Sequence, residues 1–231
     1  DMVISATFII GAILAAIATG AIFGLANGLI VTKIKVPSFV VTLGMWYVGL
    51  GIAIILFGTQ AIPTLSNISL STWAAQKTLG MPHSFELAAA VTIIGALVLR
   101  FTRFGRVTLA IGANEEIAKS NGLSVTRNKI AIFTIAGALS GLAGIVAVIQ
   151  LGMGSATVAQ GQLFLTIPAV VIGGTSLGGG KGGMFGTALG VILLTTLNNG
   201  LILSGVSPSY QSAVSGAILV VAIIFTAFSN R

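Results

Sequence analysis

Few side chains here could do chemistry: among 231 residues there are four carboxylates, one imidazole and no thiol. His83 has no cysteine or nearby carboxylate pair with which to build a metal site, and no serine motif accompanies it to form a nucleophile and base. The run Gly173-Gly-Thr-Ser-Leu-Gly-Gly-Gly-Lys-Gly-Gly183 resembles a phosphate loop but fails its spacing. Thr175 stands five positions before Gly180, Gly182 follows Lys181 where Ser or Thr must reach magnesium, and no strand precedes the run. A flexible cytoplasmic turn anchored by Lys181 accounts for the same residues, and its seven glycines also suit close packing. An enzyme is therefore the least favoured class. What remains is amides and hydroxyls in apolar surroundings: Asn27, Thr42, Thr134, Gln150, Thr166, Asn198 and Asn199. They fit either a path for a neutral hydrophilic solute, with Thr42, Asn198 and Asn199 as its candidate lining, or hydrogen bonds between helices.

The elements that position these groups follow from composition. Hydrophobic residues make up 55% of the chain and charged ones 6%, with a mean hydropathy of +1.09, against roughly a quarter charged in soluble chains. Lipid must cover such a surface. Residues 2 to 32, 36 to 76, 130 to 180 and 182 to 230 carry no charge. Since a span needs about 20 apolar residues, they divide into an all-α bundle of about seven crossings, at 6 to 31, 38 to 58, 82 to 101, 129 to 151, 162 to 175, 184 to 204 and 210 to 228. The fifth is short and contains Pro168, so a broken or re-entrant helix is expected there. Alternating crossings put ten of the eleven basic residues on one face and leave only Lys77 on the other, which marks the cytoplasm and places the C-terminus inside. A re-entrant fifth span would move Lys181 and Arg231 to the wrong face, so parity favours seven. The net charge of +7 is thus a matter of topology, and no nucleic-acid partner is expected. No signal peptide is visible, and a start at Asp1 without Met is what a fragment would show.

Between Arg100 and Lys129 lies the chief cytoplasmic feature, which contains a short capped helix. Asn114 suits the N-cap, Glu115 and Glu116 the first turn, and Gly122 the left-handed C-terminal turn. At about two turns it is marginal alone in water, so it packs on its own domain or on a partner. Small residues recur at helix-packing spacing: Gly20, Gly24 and Gly28; Gly137, Ser140, Gly141 and Gly144; Gly182, Gly186 and Gly190. Intrachain packing is the favoured reading, with a dimer interface the alternative. Glu86 lies at a membrane edge and no ionisable residue sits mid-span, which argues against proton coupling. In the outer loop from about Thr59 to Ser84, Trp73 and His83 suit interfacial anchoring or contact with an outside partner.

Several motifs together resemble a known family. They are Pro37-Ser-Phe-Val-Val-Thr-Leu-Gly44, Gly105-Arg106, Gly112-Ala-Asn-Glu-Glu-Ile-Ala-Lys-Ser-Asn-Gly-Leu-Ser-Val125 with Lys129, Gly137-Ala-Leu-Ser-Gly-Leu-Ala-Gly-Ile145, Val171-Ile-Gly-Gly-Thr-Ser-Leu-Gly-Gly-Gly-Lys-Gly182 and Leu197-Asn-Asn-Gly-Leu201. The chain looks like a ribose-type carbohydrate ABC importer permease, matched over essentially its whole length to the C-terminal seven of the family's usual ten spans. The resemblance implies a single permease domain over residues 1 to 231, with its first spans missing, in a bacterial inner membrane. It implies partners: a second permease subunit, identical or not, cytoplasmic ATPases that hold ATP and magnesium, and a periplasmic solute-binding protein. This chain itself would bind no cofactor. The stretch 100 to 128 becomes a coupling loop docking into the ATPase, carried by Asn114, Glu115, Glu116, Ala118 and Gly122; Ile117 and Asn121 depart from the family's more usual Ala and Ser. Rival readings are a permease for branched-chain amino acids or nucleosides, and a carrier or channel that needs no ATPase.

Overall fold

A computed structural model describes residues 2–63, 77–78, 80–157, 160–176, 178–207, 210–211, 213–214, 216–218 and 220. Its elements are α1 (Met2–Ile34), α2 (Ser38–Phe57), β1 (Ile62–Pro63), β2 (Lys77–Thr78), β3 (Met81–Pro82), α3 (His83–Phe101), α4 (Arg103–Ala113), α5 (Glu115–Ser120), α6 (Val125–Leu151), β4 (Met153–Gly154), α7 (Gln162–Ile172) and α8 (Met184–Leu203). Helices α2, α3, α6, α8 and the stretch Ile9–Ile34 of α1 are long and apolar enough to cross a membrane. The fold is an all-α polytopic membrane bundle. Among the described residues, strands occur only as two-residue antiparallel bridges, Ile62 and Pro63 with Gly154 and Met153, and Lys77 and Thr78 with Pro82 and Met81.

The expected fifth span comes out shorter than read from the sequence. Helix α7 has 11 residues, about 16 Å at 1.5 Å per residue, and so reaches only about half of a hydrocarbon core of about 30 Å. Glycine at 173 and 174 ends it, the latter at φ +83°. The seventh expected span falls mostly outside the described residues, as does Trp73. Helix α6 begins at Val125, four residues before the span expected from 129.

The chain divides into two compact units, Asp1–Ala88 with Ser124–Val158, and Ala89–Leu123 with Ala159–Arg231. In the first, α1 and α6 run antiparallel in backbone contact. A Cβ on Gly20 would meet the Gly137 carbonyl, one on Gly24 the Phe133 carbonyl, and one on Gly28 the Ile130 Cα at 2.9 Å. Apolar side chains gain little by leaving lipid for a neighbour, so close approach and dispersion hold such a pair together. The intrachain reading of these glycines stands, except that Ser140 and Gly144 face outward; Ser140 donates to its own helix at Ala136 O, 2.9 Å away. Lys35, at φ +60°, and Pro37 separate α1 from α2.

In the second unit α7 and α8 form an antiparallel pair, with Gly173 against Gly186 and Gly190 against the Ala169 carbonyl. Pro168, Ala169, Val171 and Leu194 are buried there. Helix α4 is absent from the sequence reading, because Gly105 and Gly112 weaken its helical signal. Both glycines have packing reasons: Gly105 lies against the Leu99 backbone and Gly112 against Gly180. The Thr102 hydroxyl sets the bend after α3, donating to Val98 O (2.6 Å) and accepting from the Gly105 N–H (3.2 Å) to cap α4.

Candidate functional site

Two features of the second unit carry functional groups. The first is α5, which is fixed at both ends by its own sequence. Asn114 Oδ1 accepts from the Ile117 N–H at 3.0 Å, and the same residue ends α4 through its own N–H to Ala110 O, 3.2 Å. At the other end Gly122 takes φ +78°. The bonds from Gly122 N–H to Lys119 O and from Leu123 N–H to Ala118 O form a Schellman motif. The expected N-cap and left-handed glycine are both where the sequence put them. Six residues this well capped present a fixed surface: Glu115, Glu116 and Lys119 are exposed, Ile117 is 58% exposed and Ala118 only 4%. Ala118 therefore sits against the chain's own fold, and the exposed surface carries two carboxylates, one ammonium and one bare isoleucine.

The second feature is a cavity of about 220 Å3 between α7 and α8. Gln162, Leu165, Thr166 and Ala169 supply one wall, at positions i, i+3, i+4 and i+7 of α7; Val191, Leu194, Thr195, Asn198 and Asn199 supply the other from a single stripe of α8. The buried Asn198 Oδ1 has no hydrogen-bond partner, a condition shared among the described residues by Asn27 Oδ1 and Glu86 Oε1. The Thr166 hydroxyl donates to Gln162 O at 2.7 Å, which leaves its oxygen free to accept. Of the sequence candidates for a path, the structure brings together Asn198 and Asn199 and adds Thr166. Thr42 lies in the other unit, with its hydroxyl donating to Ser38 O and Phe39 O of α2. Gln162 and Thr195 were missed, although Thr195 stands at i−3 and i−4 of the two asparagines and so on their helix face.

Backbone contacts join the two features. A Cβ on Gly112, near the end of α4, would lie 2.7 Å from Gly180 N; one on Gly180 would lie 2.6 Å from the Ala113 Cα. The glycine run, expected from the sequence to be flexible, is a folded turn. The Ser176 N–H donates to Lys181 O (2.9 Å) and the Gly179 N–H to Ser176 O (3.1 Å), and Gly179 and Gly180 take φ +90° and +75°. Thr175 and Thr187 meet at 3.3 Å where the turn enters α8. No group of three or more metal-ligating side chains occurs among the described residues.

Residues 2–223 match the profile of a family described as the permease component of branched-chain amino acid transport systems. Among curated proteins, the chain is 40% identical over 82% of its length to a probable ABC transporter permease protein, YphD, of Escherichia coli K12, of which it covers 57%. It is 36% identical over 92% of its length to the ribose import permease protein of the same strain, covering 67% of it. Against that strain's L-arabinose transport system permease protein the figures are 35%, 89% and 62%. The chain thus spans roughly three fifths to two thirds of the length of these relatives. No solved structure matches it.

Proposed function

We propose, since the chain belongs to the family of permease components of branched-chain amino acid transport systems, that it is the membrane-spanning subunit of an ATP-binding-cassette importer for a sugar or sugar-like solute. The observation that carries the cargo class is the similarity to a ribose import permease over 92% of this chain. In this reading the subunit sits in a bacterial inner membrane with its C-terminus in the cytoplasm. It pairs with a second permease, identical or not, receives solute from a periplasmic binding protein, and leaves ATP and magnesium to cytoplasmic ATPases.

The residues divide the work by their exposure. Glu115, Glu116 and Ile117 face outward to enter a cleft of the ATPase, while Ala118 anchors α5 and Asn114 and Gly122 hold its ends. ATPase closure displaces α5 and the adjoining end of α4. The contact of Gly112 and Ala113 with Gly179 and Gly180 passes that displacement to the α7–α8 pair, where Asn198 and Asn199 line the path. Mild crosslinking of the full-length subunit in its native membrane, followed by mass spectrometry, tests this. A nucleotide-binding ATPase linked near Glu116 supports it, and recovery without any ATPase sinks it. Replacing Glu116 and Gly122 together is expected to abolish transport while sparing membrane insertion. The short, Pro168-containing α7 favours a carrier that needs no ATPase as the second reading; uptake driven by an ion gradient alone would establish that one.

A further inference from the structure

We propose that the bend from α3 to α4 binds the phosphate headgroup of an anionic phospholipid through Arg100, Arg103 and Arg106. The three fall within seven residues at the end of a helix long and apolar enough to cross a membrane, and all three are exposed. Two of them gather on Phe101. The Arg100 guanidinium carbon stands 5.6 Å from its ring centroid, and Arg106 Nη1 donates to its carbonyl oxygen at 3.3 Å. Arg103 precedes Arg106 by three positions and so shares its face of α4. No carboxylate lies between them. The nearest along the chain are Glu86, near the start of α3, and Glu115, beyond the far end of α4.

Like charges this close along a helix repel, yet the carbonyl bond holds Arg106 at the bend instead of leaving it to swing away. An anion there removes the repulsion. Guanidinium suits phosphate in particular, because its planar fork pairs two N–H groups with two oxygens, and the first turn of α4 adds N–H groups that a helix leaves unpaired. The ligand must also suit an apolar neighbour, since Phe101 is 65% exposed in the last residue of the span. A phospholipid presents both a phosphate and hydrocarbon. Orientation in the membrane, by contrast, needs only the count of Lys and Arg and no geometry among them. A headgroup seated at the bend fastens the start of α4 to the bilayer, at the end opposite to the contact of Gly112 with Gly180.

The test titrates the full-length subunit, purified in detergent with whatever ATPase accompanies it, with phosphatidylglycerol or phosphatidylcholine, and counts bound lipid by native mass spectrometry. Phosphatidylglycerol is expected to bind about tenfold more tightly. Arg100→Gln, Arg103→Gln and Arg106→Gln should each weaken it about fivefold. Lys33→Gln and Arg127→Gln remove the same charge from exposed positions elsewhere and should leave binding as it was. Replacing all three arginines with lysine keeps charge and membrane insertion, and should lose much of the preference for phosphatidylglycerol. Equal binding of the two lipids would overturn the site, as would equal losses at Lys33 or Arg127. Parental binding in the triple lysine variant would reduce the arginines to a charge signal and overturn it too. Displacement of the lipid by inorganic phosphate alone would assign the bend to a free anion, and crosslinking of Arg103→Cys to the ATPase would assign it to a protein surface; either result ends the proposal. The readout involves no transport, so the importer reading stands or falls separately.

Discussion

Asn114 holds two helix ends with one side chain and one backbone N–H, so its replacement has a local and readable effect. Losing an N-cap oxygen costs about 1 kcal/mol. Asn114→Ala is therefore expected to speed hydrogen exchange of the α5 amides about fivefold, whereas Asn114→Asp keeps the cap and the slow exchange. Equal rates in Ala and Asp variants would show that Oδ1 does not hold the helix. At Gly122 the backbone sits at φ +78° with nothing within 4 Å of where a Cβ would stand, so Gly122→Ala fails through conformation and not crowding, by about 1–2 kcal/mol. Both positions were legible in the sequence because capping is decided within a few residues. The burial of Ala118 was not, since nothing in Glu115-Glu-Ile-Ala-Lys119 says which side faces the rest of the fold.

At the scale of elements, the α1–α6 contact sets a sharp distinction between glycines. Gly20→Ala or Gly137→Ala puts a methyl into backbone with no side chain to move aside, an overpacking of about 1–3 kcal/mol. Each is expected to lower the thermal midpoint of the purified subunit by several degrees, at roughly 2–4 °C per kcal/mol. Gly11→Ala and Gly44→Ala, with nothing within 4 Å, are expected to leave it in place; a uniform response across the four would refute the seam. The Gly112–Gly180 contact makes a different prediction. Gly180→Ala should reduce solute moved per ATP hydrolysed, while Gly183→Ala, with open space around it, should not. Helix α4 and this contact escaped the sequence reading for one physical reason. Glycines that permit close approach also weaken helix propensity, and the partner that justifies them lies far away in the chain.

For the molecule as a whole, charge-free stretches located the long helices because lipid penalises charge at nearly every position. They could not place α7, whose length depends on where glycine and proline stop a helix, nor the cavity, which exists only when two polar stripes face each other. The ten-to-one distribution of basic residues still predicts orientation. Asn121→Cys should react only with reagent inside sealed vesicles of native orientation and Thr78→Cys only with reagent outside, and labelling of both from one side would refute it. The glycine turn then has a mechanical consequence. Between the end of α4 and Gly179-Gly180 the closest approaches to the glycines are made by backbone and the Ala113 methyl, groups that have no rotamer with which to absorb a displacement. In an engineer's terms such a joint has little backlash: under the proposed coupling, a displacement of α5 is expected to reach the α7–α8 pair through backbone.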